Sequence, residues 1–153
     1  MLSRIRQAGW AFFCYDRKRT HPAADPDGAI LGTSAVTIHT ADAGDLGIVR
    51  LQGLPASYVL TAGDLIGWSA GSDPKIYYVH QLAETVVADA GGVTPVISIS
   101  PFWPFGFDAL TPVTLFRPLL TAVYDPGSFT AGQGLPGGWE RGRAFRLIQL
   151  LEF

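Results

Sequence analysis

Glycine and proline set the limits on what this chain can become. Its 153 residues include 18 glycines and 11 prolines, scattered as single interruptions between short runs of β-branched and aromatic residues. Proline removes a backbone donor and breaks a helix interior, and glycine weakens one. Short strands fit between such breaks where long helices do not. The rhythm predicts an all-β domain, a small Greek-key or meander barrel or sandwich with a short N-terminal helical or extended arm. A chain of this length supports one core. We expect residues 1–30 to be arm and loop and residues 31–153 to be a single β-rich domain.

The runs can be placed individually. Met1–Gln7 reads as a helical turn and Trp10–Tyr15 as a buried strand. His21–Gly28 holds Pro, Asp and Gly at the positions a loop requires. Ala35–Thr40 alternates apolar and polar residues, and Gly47–Leu51 follows it after the turn Ala41–Asp45. Thr61–Asp64 is a tight entry into Leu65–Trp68. Lys75–Gln81, Thr85–Ala88 and Val93–Ile99 are three consecutive strand candidates, expected to form a meander, with Pro95 at a strand start or on an edge. Val113–Arg117 and Leu119–Tyr124 are further strands, and Arg143–Phe153 is expected as a strand buried on both faces.

Composition bears on partners. The chain is 48% hydrophobic and 16% charged, against about 25% charged in an average domain. A surface this short of charge suits a protein whose outer faces are covered by neighbours, although a small well-packed enzyme also fits. Basic residues collect at the start (Arg4, Arg6, Arg17, Lys18, Arg19) and near the end (Arg117, Arg141, Arg143, Arg146). Between Asp25 and Asp89 carboxylates predominate. Opposite signs on separate surfaces favour head-to-tail contacts between copies. The net charge of -2 argues against a nucleic-acid partner. Met1–Cys14 matches neither a signal peptide nor a membrane span, so synthesis in the cytoplasm is expected.

Catalytic and metal chemistry finds few candidates. The single cysteine, Cys14, lies in an apolar run and reads as a small buried hydrophobe. His21, His39 and His80 lack metal-ligand spacing; His39 and His80 could meet across a sheet, but no cysteine or carboxylate motif accompanies them. Gly67–Gly71 spells the Gly-x-Ser-x-Gly of a nucleophile elbow, yet Ser72-Asp73-Pro74 follows and leads back into a strand where an elbow needs a helix. The acidic turns at Asp25–Gly28 and Asp42–Asp45 lack the length and closing Glu of a calcium loop. We expect no enzyme, no cofactor and no metal.

Four stretches together resemble the distal tail proteins of long-tailed bacteriophages and prophages. They are Trp10–Arg19; Leu51–Pro55 with Tyr58–Gly67; Ile76–His80 with Val87–Gly92 and Ile97–Pro101; and Val113–Pro118. The similarity spans Trp10 to Tyr124 through short motifs: an aromatic-Asp-basic cluster, a Leu-x-x-Gly-Asp strand entry, a Tyr-x-Val strand, an Ala-Asp-x-x-Gly turn and a closing Val-x-Leu-x-x-Pro strand. The chain departs from the class in starting close to the aromatic cluster, without the β region that usually precedes it.

The resemblance implies a virion structural protein at the distal tail or baseplate, present in several copies and without catalytic residues. Its partners would be copies of itself and other tail proteins. Contact candidates are Trp10, Phe12, Arg17, Lys18 and Arg19, then Phe102, Trp103, Phe105 and Phe107, then Trp139, Arg141 and Arg143. The Phe102–Phe107 segment has two readings, an aromatic patch for a partner and a plug over the end of a barrel. One alternative is a carbohydrate-binding module for host-surface glycan, with Trp68, Tyr77, Trp103 or Trp139 as stacking platforms. Another is a head-to-tail joining or decoration role.

Overall fold

The computed structural model describes residues 11–40, 46–72, 75–103, 108–135, 139–142 and 144–150. They form an all-β fold of antiparallel sheets. The largest sheet has five strands in the order β2 (Thr37–Thr40), β3 (Ile48–Gln52), β8 (Ile97–Ser100), β6 (Ile76–Leu82) and β5 (Leu65–Ala70). Alternation decides which side chains enter the core. On β6, Ile76, Tyr78, His80 and Leu82 are buried on one face, while Gln81 is exposed and Tyr77 half-buried on the other. Ile38, Val49, Leu51, Ile66, Trp68, Ile97 and Ile99 join them in one cluster.

This sheet has no free edge along its middle. Thr37 of β2 pairs with Pro112, and Gly67 of β5 pairs with Thr114. The Val113 N–H donates to Val36 O at 2.9 Å, and Gly67 and Thr114 exchange both backbone bonds at 2.9 and 2.7 Å. Residues 112–114 therefore bridge the two outer strands and close the sheet into a barrel, with Val113 and Leu115 buried inside. Here a barrel stave stands where the sequence predicts an ordinary strand, Val113–Arg117.

One end of the barrel is covered by β4 (Val59–Leu60) paired with β7 (Val86–Val87), which bury Leu60 and Val86. Thus Thr85–Ala88 leaves the expected meander: β6 pairs directly with β8, and β7 crosses to β4. Gly92 lets two segments touch here. Its φ is +75°, and a Cβ would lie 2.0 Å from Leu54 O.

The loop at residues 20–34 is pinned to this end by two buried carboxylates. Asp25 accepts the Ile30 and Leu31 N–H at 3.1 and 2.8 Å and the Tyr58 hydroxyl at 3.2 Å. Asp64 accepts the Ala23 and Thr61 N–H at 2.8 and 2.7 Å. Burial pushes the Asp25 carboxyl up, but these donors together outweigh it and hold it below the usual carboxylate range. Burial and the neighbouring Asp25 charge raise the Tyr58 phenol. The loop is thereby hydrogen-bonded to the barrel end on both sides of residue 30.

A second sheet orders β1 (Ala11–Cys14), β9 (Leu120–Tyr124) and β12 (Leu147–Gln149). It meets the barrel where the Tyr77 N–H donates to Thr121 Oγ1 at 2.9 Å and Phe13 stands edge-on to Tyr77 at 5.1 Å. Two sequence expectations are corrected here. β1 alternates exposed and half-buried residues, and β12 is half-buried with Ile148 exposed, because the barrel covers only part of the face that Phe13, Thr121 and Ile148 share. Cys14 is half-buried, and burial raises its thiol. A 3₁₀ turn, Pro126–Ser128, and the hairpin β10 (Gln133–Leu135) with β11 (Trp139–Arg141) lie between β9 and β12.

Candidate functional site

The residues with chemistry to offer gather on the outside of the β5–β6 hairpin. Ser69 and Tyr77 are cross-strand partners on its outer face, next to Gly67. The chain leaving the barrel-closing bridge turns at Phe116 and Arg117 and runs so close to Gly67 that a Cβ there would lie 2.7 Å from Pro118 Cβ. Tyr15, just beyond β1, completes the arrangement. Together with Lys75 at the hairpin end and Thr114, these residues line an open groove of about 730 Å³.

Arg117 is the most constrained residue in the groove. Its φ is +45°, a left-handed backbone uncommon for a side chain of this kind. Its N–H donates to Thr20 O at 2.8 Å, tying the corner to the loop beyond β1. The guanidinium then lies 4.7 Å from the Phe116 ring centre and 5.8 Å from that of Tyr15. Lys75 Nζ lies 5.5 Å from the Tyr77 ring centre. The groove thus has cations set over aromatic rings, and among the described residues no carboxylate lines it.

Ser69 belongs to this groove, but not as an elbow. It sits within an antiparallel strand, opposite Tyr77, where an elbow needs a strand-to-helix turn. His80 lies on the other face of the hairpin, fully buried, its ring stacked 4.1 Å from Trp68 and its Nδ1 bonded to Pro101 O. Its Nε2 has no hydrogen-bond partner among the described residues. Burial drives its pKa down to about 4. His39 cannot meet it, since β3 and β8 stand between their strands. Among the described residues no three of His, Cys, Asp and Glu cluster as metal ligands, and no helix is long and apolar enough to cross a membrane.

The contact candidates fall into three groups. Trp103, first, is 2% exposed and packs against Trp68 and His80, with its indole N–H donating to Ile48 O at 3.2 Å. Of the two readings of this segment, the plug holds for Trp103, which is therefore no contact residue, because the chain after β8 turns inward past Pro101. Phe102, by contrast, is 70% exposed. Second, Arg17 and Lys18 are exposed, Phe12 is half-buried, and the exposed Arg19 pairs with Asp16 at 2.9 Å. The Lys18 N–H and the Arg19 guanidinium hold the Asp16 carboxyl below its ordinary range. Third, Trp139 and Arg141 bound β11, while Trp10, Phe105, Phe107 and Arg143 lie outside the described residues.

Of the groove residues, the sequence points to Trp68 and Tyr77, as stacking platforms, and to Ser69, through its motif; Trp68 is buried in the core cluster. Tyr15, Lys75, Phe116 and Arg117 are missed because they are far apart in the chain and meet only through barrel closure and the pairing of β1 with β9. Comparison with protein-family models, curated proteins and solved structures finds no match to this chain.

Proposed function

We propose that this protein is a non-enzymatic structural subunit of a tailed-bacteriophage virion, at the distal tail or baseplate, that works by packing against copies of itself and neighbouring tail proteins. The observation that carries the packing role is the apolar surface left exposed on the β1–β9–β12 sheet, beside its contact with Tyr77 of the barrel. Ala11 and Ile148 both pair with Val123 and so flank it on one face, and alternation along β1 puts Phe13 on the same side. Phe13 is 59% and Ile148 50% exposed. Contiguous apolar surface on a chain with so little charge marks an interaction face. The placement in a phage tail rests on the motif order from Trp10 to Tyr124.

Light scattering on the purified chain tests the packing role. Self-association that rises with concentration and is lost in Phe13→Ser/Ile148→Ser, with circular dichroism unchanged, is the expected result. For the tail placement, the protein is expected in purified particles by mass spectrometry, at the tail end by immunogold labelling. A chain that stays monomeric at high concentration and is missing from particles would overturn the assignment.

A further inference from the structure

We propose that the groove between the β5–β6 hairpin and the Phe116–Arg117 corner binds an acidic saccharide, with Arg117 and Lys75 meeting a sugar carboxylate and Tyr15, Tyr77 and Phe116 offering ring surface to the pyranose. The proposal goes beyond the packing role and rests on residues other than Phe13 and Ile148.

Charge complementarity comes first. Two cations face the groove, and among the described residues none of its lining is acidic and neither Arg117 nor Lys75 has a carboxylate partner. Arg117 is held there at a cost, in left-handed backbone that a structural corner would normally give to glycine. Strain kept at an exposed arginine points to a use for its guanidinium, whose fork suits a carboxylate.

The rest of the lining selects a sugar. Tyr15, Ser69, Tyr77 and Thr114 bring hydroxyls to walls that are otherwise aromatic or aliphatic, the mixture that fits a molecule with polar edges and apolar faces. The volume of about 730 Å³ lies within the usual span of small-ligand sites. An acidic peptide fits less well. A strand added at this groove would need an open edge, and Gly67 on β5 already gives both backbone groups to Thr114.

The test is titration calorimetry of the full chain with oligogalacturonate, oligoglucuronate and oligomannuronate, against maltooligosaccharide of equal length and polyglutamate. At least one uronate is expected to bind at least tenfold more tightly than the neutral sugar and than polyglutamate. Arg117→Gly is the decisive variant, since glycine accepts the same backbone: affinity is expected to fall at least tenfold while the melting temperature holds or rises. Lys75→Gln is expected to weaken binding in the same direction, and amide signals of Ser69, Tyr77 and Thr114 to shift on titration. Three results overturn the proposal: no uronate binding at millimolar concentration, polyglutamate binding equally well, or affinity that survives Arg117→Gly.

Discussion

His80 is the side chain through which acid acts on this fold. Its neutral form is favoured by burial, so its folded pKa of about 4 lies below the ordinary imidazole value. Its contribution is complete above roughly pH 6.5, and is lost as pH falls towards 4, by about 2.5 kcal/mol at pH 4.5. Urea unfolding at pH 7 and 4.5 is expected to show that loss, and His80→Phe to flatten it. Asp25, with a lowered carboxyl, acts in the same direction further down, below its ordinary 3.8. Trp103→Ala is expected to cost about 3–5 kcal/mol by opening a cavity beside Trp68 and His80, measured as a shift in the urea midpoint, so it tests the core and not assembly. At this level the sequence was partly legible. Asp25 and Gly28 sit in the loop their chemistry requires, but the inward path of Trp103 depends on where the chain runs after β8. The flanking prolines argue only against regular structure. Arg117 carried no local signal, since left-handed backbone at arginine is set by Thr20 and the groove around it.

The strands follow the apolar runs wherever both edges of a run find partners nearby. β3, β5, β6 and β8 lie close to their sequence-predicted positions, and alternation names most of their buried residues. The expected meander failed at β7 because Val86–Val87, only two residues long, pairs with β4 across the barrel end, a long-range choice that local propensity does not encode. The closing segment was legible as β-favouring but not as a bridge. Its role makes a sharp prediction. Thr114→Pro removes the N–H donated to Gly67 O, and is expected to destabilise the domain by about 3 kcal/mol or more. Hydrogen exchange is expected to quicken at Gly67 and at Val113, on the two sides of the bridge. Unchanged protection at both would show that the barrel does not depend on this contact. Gly92→Ala, with a Cβ 2.0 Å from Leu54 O, is expected to loosen the β4–β7 cover and lower the melting temperature.

For the molecule as a whole, closed core and apolar exterior divide the labour. The bridge pairs both outer strands of the barrel, which leaves the β1–β9–β12 sheet to present Phe13 and Ile148, and the groove to present Arg117 and Lys75. The all-β class was legible from glycine and proline spacing because punctuation limits element length whatever the topology. Which faces end up outside was not, since that depends on pairings such as Ala11 with Val123, more than a hundred positions away. The bridge at Pro112–Thr114 also fixes an order of events during synthesis. A ribosome must release the chain through Thr114 before the amides on either flank of the nascent sheet find shelter. Fragments stopped short of residue 110 are therefore expected to sediment as insoluble material, and a few more codons to restore them to the supernatant.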